Sequence, residues 1–202
     1  MTTRNTLLGA LCWAMLAAPA FAGETPDACD LAAAHPSDPD RVGPGVPTNE
    51  VVTHVAIPAC RRAVEAHPEE GRFHYQLGRA LVYWADANGA DTAEGIAHLE
   101  HAAERGHTQG LFVLGLMRKR FGAPCAVEPL YRRAANQGLK SARISYVDEH
   151  LSGAWRGCEV GAGAGEMAAF LDAARGQASG YYEHMLIGAL QRELTLRAEV
   201  AP

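Results

Sequence analysis

The sequence lacks any apolar run long enough to cross a membrane. Its longest such run, Leu7 to Pro19, has about 13 residues, whereas a membrane-spanning helix needs about 20. Arg4 precedes this run and Ala20-Phe21-Ala22 follows it, which is the order of a secretory signal peptide. We therefore predict cleavage after Ala22, export of the mature chain to the periplasm or the extracellular space, and no transmembrane segment in that mature chain.

A block of basic residues is also missing. The chain has 18 Lys and Arg against 23 Asp and Glu, a net charge of -5, and charges of both signs are scattered along it. Proteins that bind nucleic acid need clustered positive charge to meet the phosphate backbone. A nucleic-acid partner is therefore not expected.

Cysteine is scarce, and no Cys-x-x-Cys pair occurs among the five cysteines. Removal of the signal peptide takes Cys12 and leaves four, an even number that favours disulfides in an exported protein. Three connectivities are possible. Proximity in the sequence, together with the repeats described below, favours Cys29 with Cys60 and Cys125 with Cys158. The absence of the Cys-x-x-Cys pair, and of histidines at matching spacing, argues against a zinc site.

Catalytic signatures are missing as well, because no Ser, Cys or Thr lies in a recognisable nucleophile motif. His98 and His101 share a helical face with Glu94. Their i, i+3 spacing differs from the i, i+4 spacing of zinc-protease histidines, so a solvated helix face is the better interpretation. The glycine-rich stretch 161–165 follows no predicted strand and precedes no Lys-Ser or Lys-Thr pair. It is predicted to be a flexible connector before a helix starting at Glu166, rather than a phosphate-binding loop.

These absences predict that the chain is not an enzyme, that it has no catalytic, cofactor-binding or metal-ligating residues, and that it needs no cofactor. A catalytic site assembled from distant residues need leave no local signature. An enzyme therefore stays open as an alternative.

The mature chain begins with a segment rich in proline, glycine and aspartate, from residue 23 to residue 49. Proline every few residues fixes extended or turn geometry. Only Asp27 to Ala34 is compatible with a short helix, and that piece contains Cys29. We expect the segment to lie along the surface of the domain, held by this cysteine.

Beyond residue 49 apolar residues recur with helical spacing, and no stretch of alternating strand pattern appears. The helical stretches cover residues 50–66, 72–87, 91–106, 110–120, 126–137, 141–151, 166–175 and 179–198. The clearest apolar stripe is formed by Phe73, Leu77, Ala80, Leu81 and Trp84. Short connections containing glycine predict an all-α fold built of antiparallel helix pairs.

Two parts of the helical region repeat one layout, in which a helix bearing Leu-Gly leads to a helix bearing Ala-Ala and ending at glycine. The residues are Leu77, Gly78, Ala102, Ala103 and Gly106 in one copy and Leu114, Gly115, Ala134, Ala135 and Gly138 in the next. Small residues let helices approach closely, and a terminal glycine adopts the left-handed conformation that ends a helix. We predict clear units at about 72–106 and 110–138, and degenerate units at about 141–176 and 179–198. Stacked together they would form a disulfide-stapled superhelix, or solenoid, of three to four antiparallel helix pairs.

Two stretches of the chain resemble Sel-one-like repeats, which are relatives of the tetratricopeptide repeat. These stretches are LGRALVYWADANGADTAEGIAHLEHAAERGH and LGLMRKRFGAPCAVEPLYRRAANQG. An earlier part of the chain resembles the leader found before such repeats in exported bacterial proteins. It consists of CDLAAAHPSDPDRVGPGVP and the following AIPACRRAVEAHPEEGRFHYQLGRAL. The usual Gly-x-Gly and Lys-Ala elements of the repeat loop are missing here, and the third unit lacks Leu-Gly. The resemblance implies that residues 50–202 form a helical repeat domain that binds other proteins.

In helix-pair arrays the first helix of each pair usually lines the concave side, where extended partners lie. Three first helices contribute the side chains expected there, which are Gln76, Arg79, Tyr83, Val113, Leu116, Arg120, Ser145, Asp148 and Ser152. This mixture of apolar and charged groups suits recognition of a protein or peptide. Packing of some of them against the neighbouring unit is the alternative.

The sequence as a whole predicts a non-catalytic protein-protein interaction or scaffold module of the bacterial cell envelope. Two alternatives stay open. One is a cell-envelope hydrolase, since the resemblance extends to exported proteins linked to peptidoglycan or β-lactam chemistry. The other is an immunity or regulatory protein that occludes a secreted effector.

Overall fold

The computed structural model describes residues 24–200, and the predicted signal peptide, residues 1–22, lies outside them. The described chain contains helices and no strand, which confirms the all-α prediction for these residues. None of the helices within residues 24–200 has the length and hydropathy needed to span a membrane. The helices are α1 (Ala28–Ala33), α2 (Thr53–Ala66), α3 (Gly71–Asn88), α4 (Ala93–Glu104), α5 (Thr108–Arg120), α6 (Val127–Asn136), α7 (Lys140–Ser152), α8 (Ala164–Gly176) and α9 (Tyr181–Val200), with 3₁₀ turns at Thr48–Glu50 and Pro124–Ala126.

Each helix packs mainly against the next one in the chain, from α1 on α2 through to α8 on α9. Two apolar clusters result from this arrangement. The smaller one joins α1, α2 and part of α3, and the larger one runs from Tyr75 on α3 to Leu194 on α9. Neighbour-on-neighbour packing therefore gives a long core in which α3 contributes to both clusters.

Small residues set the closest approaches between paired helices. A Cβ atom at Gly78 would lie 2.8 Å from the carbonyl oxygen of Gly95 on α4, and one at Gly115 would lie 2.5 Å from the ring of Tyr131 on α6. Real Cβ atoms essentially never come so close, so the α3–α4 and α5–α6 contacts require glycine. The leucine and alanine residues of the repeated layout are also buried, namely Leu77, Ala102, Ala103, Leu114, Ala134 and Ala135.

Left-handed glycines end two of the helices that carry alanine pairs. Gly106 and Gly138 have φ of 78° and 99°. The residue after each glycine donates its N–H back to a helix carbonyl, His107 to Ala102 at 2.9 Å and Leu139 to Ala134 at 3.1 Å. Such bonds satisfy carbonyls at a helix C-terminus and redirect the chain.

Two disulfides join neighbouring elements. Cys29 on α1 pairs with Cys60 on α2, and Cys125 in the turn before α6 pairs with Cys158 after α7. These are the pairings that the sequence favours. The cysteines of each pair are 31 and 33 residues apart, and in the loop-entropy account a bridge over such a loop stabilises the fold by about 3 to 4 kcal/mol.

Two details of the first helices differ from the prediction. α2 begins at Thr53 rather than at residue 50, and Pro58 lies inside it. Trp84, predicted on the buried stripe of α3, is 43% exposed because it lines a surface groove with residues of α2 and α4. The stripe therefore ends one turn earlier than the periodicity indicates.

The glycine-rich stretch before α8 is bonded to the rest of the fold. The Gly161 N–H donates to Oε1 of Glu128 at 2.8 Å, and the Ala162 N–H donates to the Tyr146 hydroxyl at 3.2 Å. α8 then begins at Ala164, two residues earlier than predicted. The stretch is a connector, as predicted, and two of its amides are bonded to side chains of α6 and α7.

Candidate functional site

The nine side chains predicted to face a partner lie on α3, α5 and α7, and they differ sharply in exposure. Gln76 and Arg79 on α3 are buried, whereas Leu116 on α5 is 40% exposed. The α3 part of the predicted face is therefore covered, and the α5 part is open. The complete set is Gln76, Arg79 and Tyr83 on α3, Val113, Leu116 and Arg120 on α5, and Ser145, Asp148 and Ser152 on α7.

The cover on α3 is the chain's own N-terminal segment, residues 24–50. Gln76 Nε2 donates to Oδ1 of Asp30 at 2.8 Å. The Tyr83 hydroxyl lies 3.2 Å from Oγ1 of Thr48, and Arg79 bonds the main chain of the segment as described next. The prediction that Gln76 and Arg79 are free for a partner is corrected, because both are occupied by this segment.

Arg79 binds the main chain of the N-terminal segment at two places. Nη1 donates to the carbonyl oxygens of Ala33 and Ala34 at 2.9 Å each, and Nη2 donates to that of Val46 at 2.8 Å. Nε donates to the Tyr83 hydroxyl at 3.2 Å. Ala33 and Ala34 end α1, where carbonyls lack helical partners and carry partial negative charge. These bonds explain how a charged guanidinium can be 1% exposed, because a buried charge must be hydrogen-bonded.

A second arginine, Arg72, holds the beginning of the segment. Its Nη1 and Nη2 donate to the two carboxylate oxygens of Glu24 at 2.9 and 2.6 Å, and its Nε lies 3.1 Å from Oδ1 of the buried Asp30. Burial opposes the charge on Arg72, but the bond to Glu24 and the field of Asp30 outweigh it, so the pKa of Arg72 is raised. The same bond lowers the pKa of Glu24. Because Gln76 and Arg72 share Asp30, α1 is tied to α3 by polar contacts.

The middle of the segment reaches the start of α5. The Thr108 N–H donates to Oδ2 of Asp40 at 2.9 Å. Nε2 of His107 lies 3.3 Å from Oδ2 of the buried Asp38 and 4.0 Å from Oδ2 of Asp40. One ligand-type atom from each of Asp38, Asp40 and His107 lies within 4.8 Å of the others, which makes the trio a candidate metal site.

The hydrogen bonds of His107 decide between a metal site and a docking contact. Its Nδ1 accepts the backbone N–H of Gly110 at 3.1 Å, in the first turn of α5. A neutral imidazole whose Nδ1 is an acceptor carries its proton on Nε2, so Nε2 has no lone pair for a metal ion or for a substrate proton. Nε2 lies 3.3 Å from Oδ2 of Asp38 without forming a hydrogen bond to it. We therefore assign the trio to docking of the N-terminal segment on α5.

The histidine pair on α4 acquires a third member from α3. Nδ1 of His74 lies 3.0 Å from Nδ1 of His98, and its ring stacks on that of His101 with centroids 4.8 Å apart. Nε2 of His74 donates to the Pro68 carbonyl at 2.9 Å, so its Nδ1 is the acceptor and His98 is the donor. Burial lowers the pKa of His74 and that of His98, and the neighbouring His74 lowers the pKa of His98 further.

Glu94 does not join these histidines, although it shares their side of α4. Its Oε1 accepts a hydrogen bond from Arg61 on α2 at 2.8 Å. Sequence reasoning missed His74 because it lies 24 residues from His98, and only the pairing of α3 with α4 brings the two rings together. The spacing of histidines along one helix carries no signal of this contact.

The open part of the predicted face begins on α5. Leu116 is exposed, and Nη1 of Arg120 donates to both carboxylate oxygens of Asp86 on α3 at 2.8 and 2.9 Å. Phe121, which sequence reasoning did not include, is 59% exposed, and its ring centroid lies 5.7 Å from the Arg120 guanidinium carbon. An aromatic residue just beyond a helix, outside every buried stripe, is the signal that could have identified it.

The remaining predicted residues are a mixture of open and packed side chains. Asp148 and Ser152 on α7 are exposed, whereas Ser145 is half-buried. Val113 is also half-buried, because it packs against the larger apolar cluster. Open contributions to the face therefore come from α5 and α7, where half-buried Val113 and Ser145 lie among them.

Comparison with known proteins adds nothing to these assignments, which rest on the geometry described above. No protein-family model matches the chain, and neither a curated protein nor a solved structure matches it.

Proposed function

We propose that this protein is a non-catalytic interaction module of the bacterial cell envelope, in which Sel-one-like helix pairs stack into a solenoid and bind a protein or peptide through the exposed residues of α5 and α7. One observation carries the proposal. The three predicted residues of α3 all contact the N-terminal segment, Gln76 and Arg79 at α1 and Tyr83 at Thr48. The rest of the predicted face, on α5 and α7, is exposed at Leu116, Arg120, Asp148 and Ser152, and we assign this part to a second chain.

The open part of the face indicates what kind of partner suits it. Leu116 and Phe121 on the open part offer apolar contact, while Arg120 and Asp148 offer charge of both signs. Aromatic and arginine side chains dominate the energetics of many protein interfaces. An extended segment with an apolar anchor flanked by charge fits this surface.

The covalent structure supports the proposed compartment. Disulfides persist in oxidising compartments and are rare in reducing ones, and the chain has two. Together with the predicted signal peptide, this favours the periplasm or the extracellular space.

Site-specific photocrosslinking in the native cell envelope tests the proposed function. A photoreactive residue replaces Leu116 in one strain and Glu104, which is exposed on α4, in another. We expect capture of one defined protein from position 116 and none of it from position 104. Equal capture from both positions would contradict the proposed face, and turnover of a peptidoglycan fragment by the purified protein would contradict a non-catalytic role.

A matched pair of variants tests the same face without a photoreactive residue. Leu116→Arg is expected to weaken capture of that protein by at least about tenfold, since it places a charge in the apolar part of the interface. Val55→Arg changes a side chain on α2 that is 52% exposed, and it should leave capture unchanged. Retention of the partner by Leu116→Arg would place the interface elsewhere.

A further inference from the structure

Two histidine rings from neighbouring helices bring ring nitrogens together between α3 and α4. Nδ1 of His74 lies 3.0 Å from Nδ1 of His98. His74 is buried, at 5% exposure, whereas His98 is half-buried. Neutral imidazole is the commonest side-chain ligand of metal ions in proteins. The contact therefore joins two potential ligand atoms, one fixed in the fold and one reachable from solvent.

A backbone carbonyl fixes the state of the buried histidine. Nε2 of His74 donates to the Pro68 carbonyl at 2.9 Å, so the proton lies on Nε2 and Nδ1 carries a lone pair. Metal-ligating histidines almost always donate their other ring N–H to a carbonyl or a carboxylate, because this bond sets the tautomer and the orientation of the ring. His74 therefore has the hydrogen-bonding state of a metal ligand.

His98 can supply the second lone pair without a change of charge. Its Nδ1 donates to His74 in the present contact, but a neutral imidazole carries its proton on either nitrogen. With the proton on Nε2, a metal ion takes the place of the proton between the two Nδ1 atoms. Burial lowers the pKa of both histidines, and His74 lowers the pKa of His98 further. Both rings are therefore neutral at pH 7, which is the form that binds metal.

The distance between the two nitrogens suits a metal ion with ligands at right angles. With metal–nitrogen bonds of about 2.0–2.1 Å, the 3.0 Å separation corresponds to an angle of about 95° at the metal. Tetragonal Cu²⁺ and Ni²⁺ place neighbouring ligands at about 90°, whereas tetrahedral Zn²⁺ would need nitrogens about 3.3 Å apart. Because His98 is half-buried, its ring can turn to aim both lone pairs at one point.

The charged groups near the two rings balance one another. Glu69 and Arg105 lie near His74, and they form an ion pair at 2.5 Å. Arg61 and Glu94 lie near the other ring and pair at 2.8 Å. A cation between the rings therefore meets no net positive charge from these groups, and water molecules can complete its coordination.

We propose that His74 and His98 form a binding site for a divalent transition-metal ion that bridges α3 and α4, with Cu²⁺ bound most tightly. Affinity for nitrogen sites rises from Ni²⁺ to Cu²⁺ and falls again at Zn²⁺, in agreement with the angle. The expectation that the chain has no metal ligand rests on histidine spacing along α4, and His74 comes from α3. The site uses no residue of α5 or α7, so it is independent of the proposed partner face.

His101 has a different role in this arrangement. Its Nδ1 accepts a hydrogen bond from Nη1 of Arg105 at 3.1 Å, so its lone pair is already used. Its ring stacks on that of His74 with centroids 4.8 Å apart. We assign His101 to holding the His74 ring in place, outside the coordination of the metal.

Titration calorimetry with CuCl₂, NiCl₂ and ZnCl₂ tests the site on the purified chain, without an affinity tag and after treatment with a chelator. We expect one Cu²⁺ per chain at this site, with weaker binding of the other two ions. Electron paramagnetic resonance of the copper form should show coupling to two imidazole nitrogens. Absence of Cu²⁺ binding, or tighter binding of Zn²⁺ than of Cu²⁺, would overturn the proposal.

Histidine variants locate the ion. His98→Gln should raise the Cu²⁺ dissociation constant by at least about tenfold, because it removes one ligand. His54→Gln, at an exposed position on α2, should leave the constant unchanged. His101→Phe retains a stacked ring without a ligand nitrogen and should also bind as the unchanged chain does. Unaltered binding by His98→Gln, or a loss for His101→Phe as large as that for His98→Gln, would overturn the assignment.

His74→Gln tests the buried ligand and should weaken Cu²⁺ binding at least as much as His98→Gln does. Thermal unfolding midpoints verify that each variant folds. Because His98 is half-buried, its variant keeps the test decisive even where the change at the buried position disturbs the fold. Cu²⁺ should also raise the midpoint of the unchanged chain and not that of His98→Gln, since an ion that binds only the folded state stabilises it.

Discussion

Arg79 joins parts of the chain that are far apart in the sequence. Its guanidinium reaches the end of α1, the backbone at Val46 and the hydroxyl of Tyr83. It donates to three carbonyl oxygens, of which that of Ala34 also accepts the Val46 N–H at 2.7 Å, and a buried carbonyl without a partner costs about 1 to 3 kcal/mol. Arg79 therefore holds the end of α1 and the backbone at Val46, while the Cys29–Cys60 bridge and Arg72 hold other parts of the N-terminal segment.

Replacement of this arginine tests its importance. Arg79→Met keeps most of the apolar stem but removes every donor, and we expect a loss of about 3 kcal/mol in the free energy of unfolding. Urea denaturation measures the loss. Arg62→Met changes an exposed arginine on α2 and should stay within about 0.5 kcal/mol of the unchanged chain. A loss below about 1 kcal/mol for Arg79→Met would mean that water satisfies the carbonyls and that the docking contact is weak.

Local chemistry decides which residues could be predicted. Gly106 and Gly138 end helices through their own backbone conformation, and sequence patterns describe such local events well. The burial of Arg79 could not be predicted, because arginine is exposed by default and its partners lie more than thirty residues away along the chain. Arg79 is buried instead because it binds carbonyl oxygens that come together only after α1 has docked.

At the scale of helices, α3 and α4 share a polar contact as well as an apolar one. The three rings of His74, His98 and His101 lie between them. The native pKa values of His74 and His98 both lie below the ordinary value of 6.5. The unfolded chain therefore takes up protons first as the pH falls, so stability is greatest above about pH 6.5 and declines below it.

A histidine variant measures this linkage. We expect the free energy of unfolding to fall from pH 7 toward pH 5, by up to about 1.4 kcal/mol per pH unit for each histidine that stays neutral in the native state. His98→Gln retains a donor for His74 and should flatten the decline, whereas His54→Gln, at an exposed position on α2, should leave it unchanged. Denaturation at a series of pH values provides the comparison, and an unaltered slope for His98→Gln would assign the decline to other groups. Charged groups that face the two histidines are Glu69 and Arg105 near His74, and Arg61 and Glu94 near His98.

The helices themselves were easier to predict than their contacts. Periodicity and glycine position placed α3 to α7 within a few residues of their bounds. Both the apolar stripe and the glycine that ends a helix lie within one short segment of the sequence. The α3–α4 histidine contact depends on the angle and register at which two helices meet, which a one-dimensional pattern does not contain. Trp84 shows the same limit. It lies on the predicted apolar stripe, but near the end of α3, where the helix borders a surface groove.

Across the whole molecule, the two disulfides stabilise different parts. Cys29–Cys60 holds α1 to α2 beside the N-terminal segment, and Cys125–Cys158 ties the turn before α6 to the loop after α7. Because each helix packs mainly on its neighbours, loss of one bridge should act locally. Regional stability of this kind is typical of chains in which contacts are mostly between adjacent elements.

Removal of one bridge at a time tests this expectation. Cys29→Ala with Cys60→Ala should cost about 3 to 4 kcal/mol and speed amide hydrogen exchange in the N-terminal segment and α2. Exchange in α8 and α9 should hardly change. Cys125→Ala with Cys158→Ala should give the opposite distribution, with faster exchange around α6 and α7. A uniform increase along the chain in both cases would show a single cooperative unit instead.

The disulfide pattern has a consequence for how the protein is made. Among the four cysteines of the described residues the bridges are consecutive, Cys29 with Cys60 and Cys125 with Cys158, and neither loop encloses the other. In the proposed oxidising compartment, a thiol oxidase that joins cysteines in their order of emergence would produce these pairs directly. Biogenesis of this chain should then need an oxidase but no isomerase.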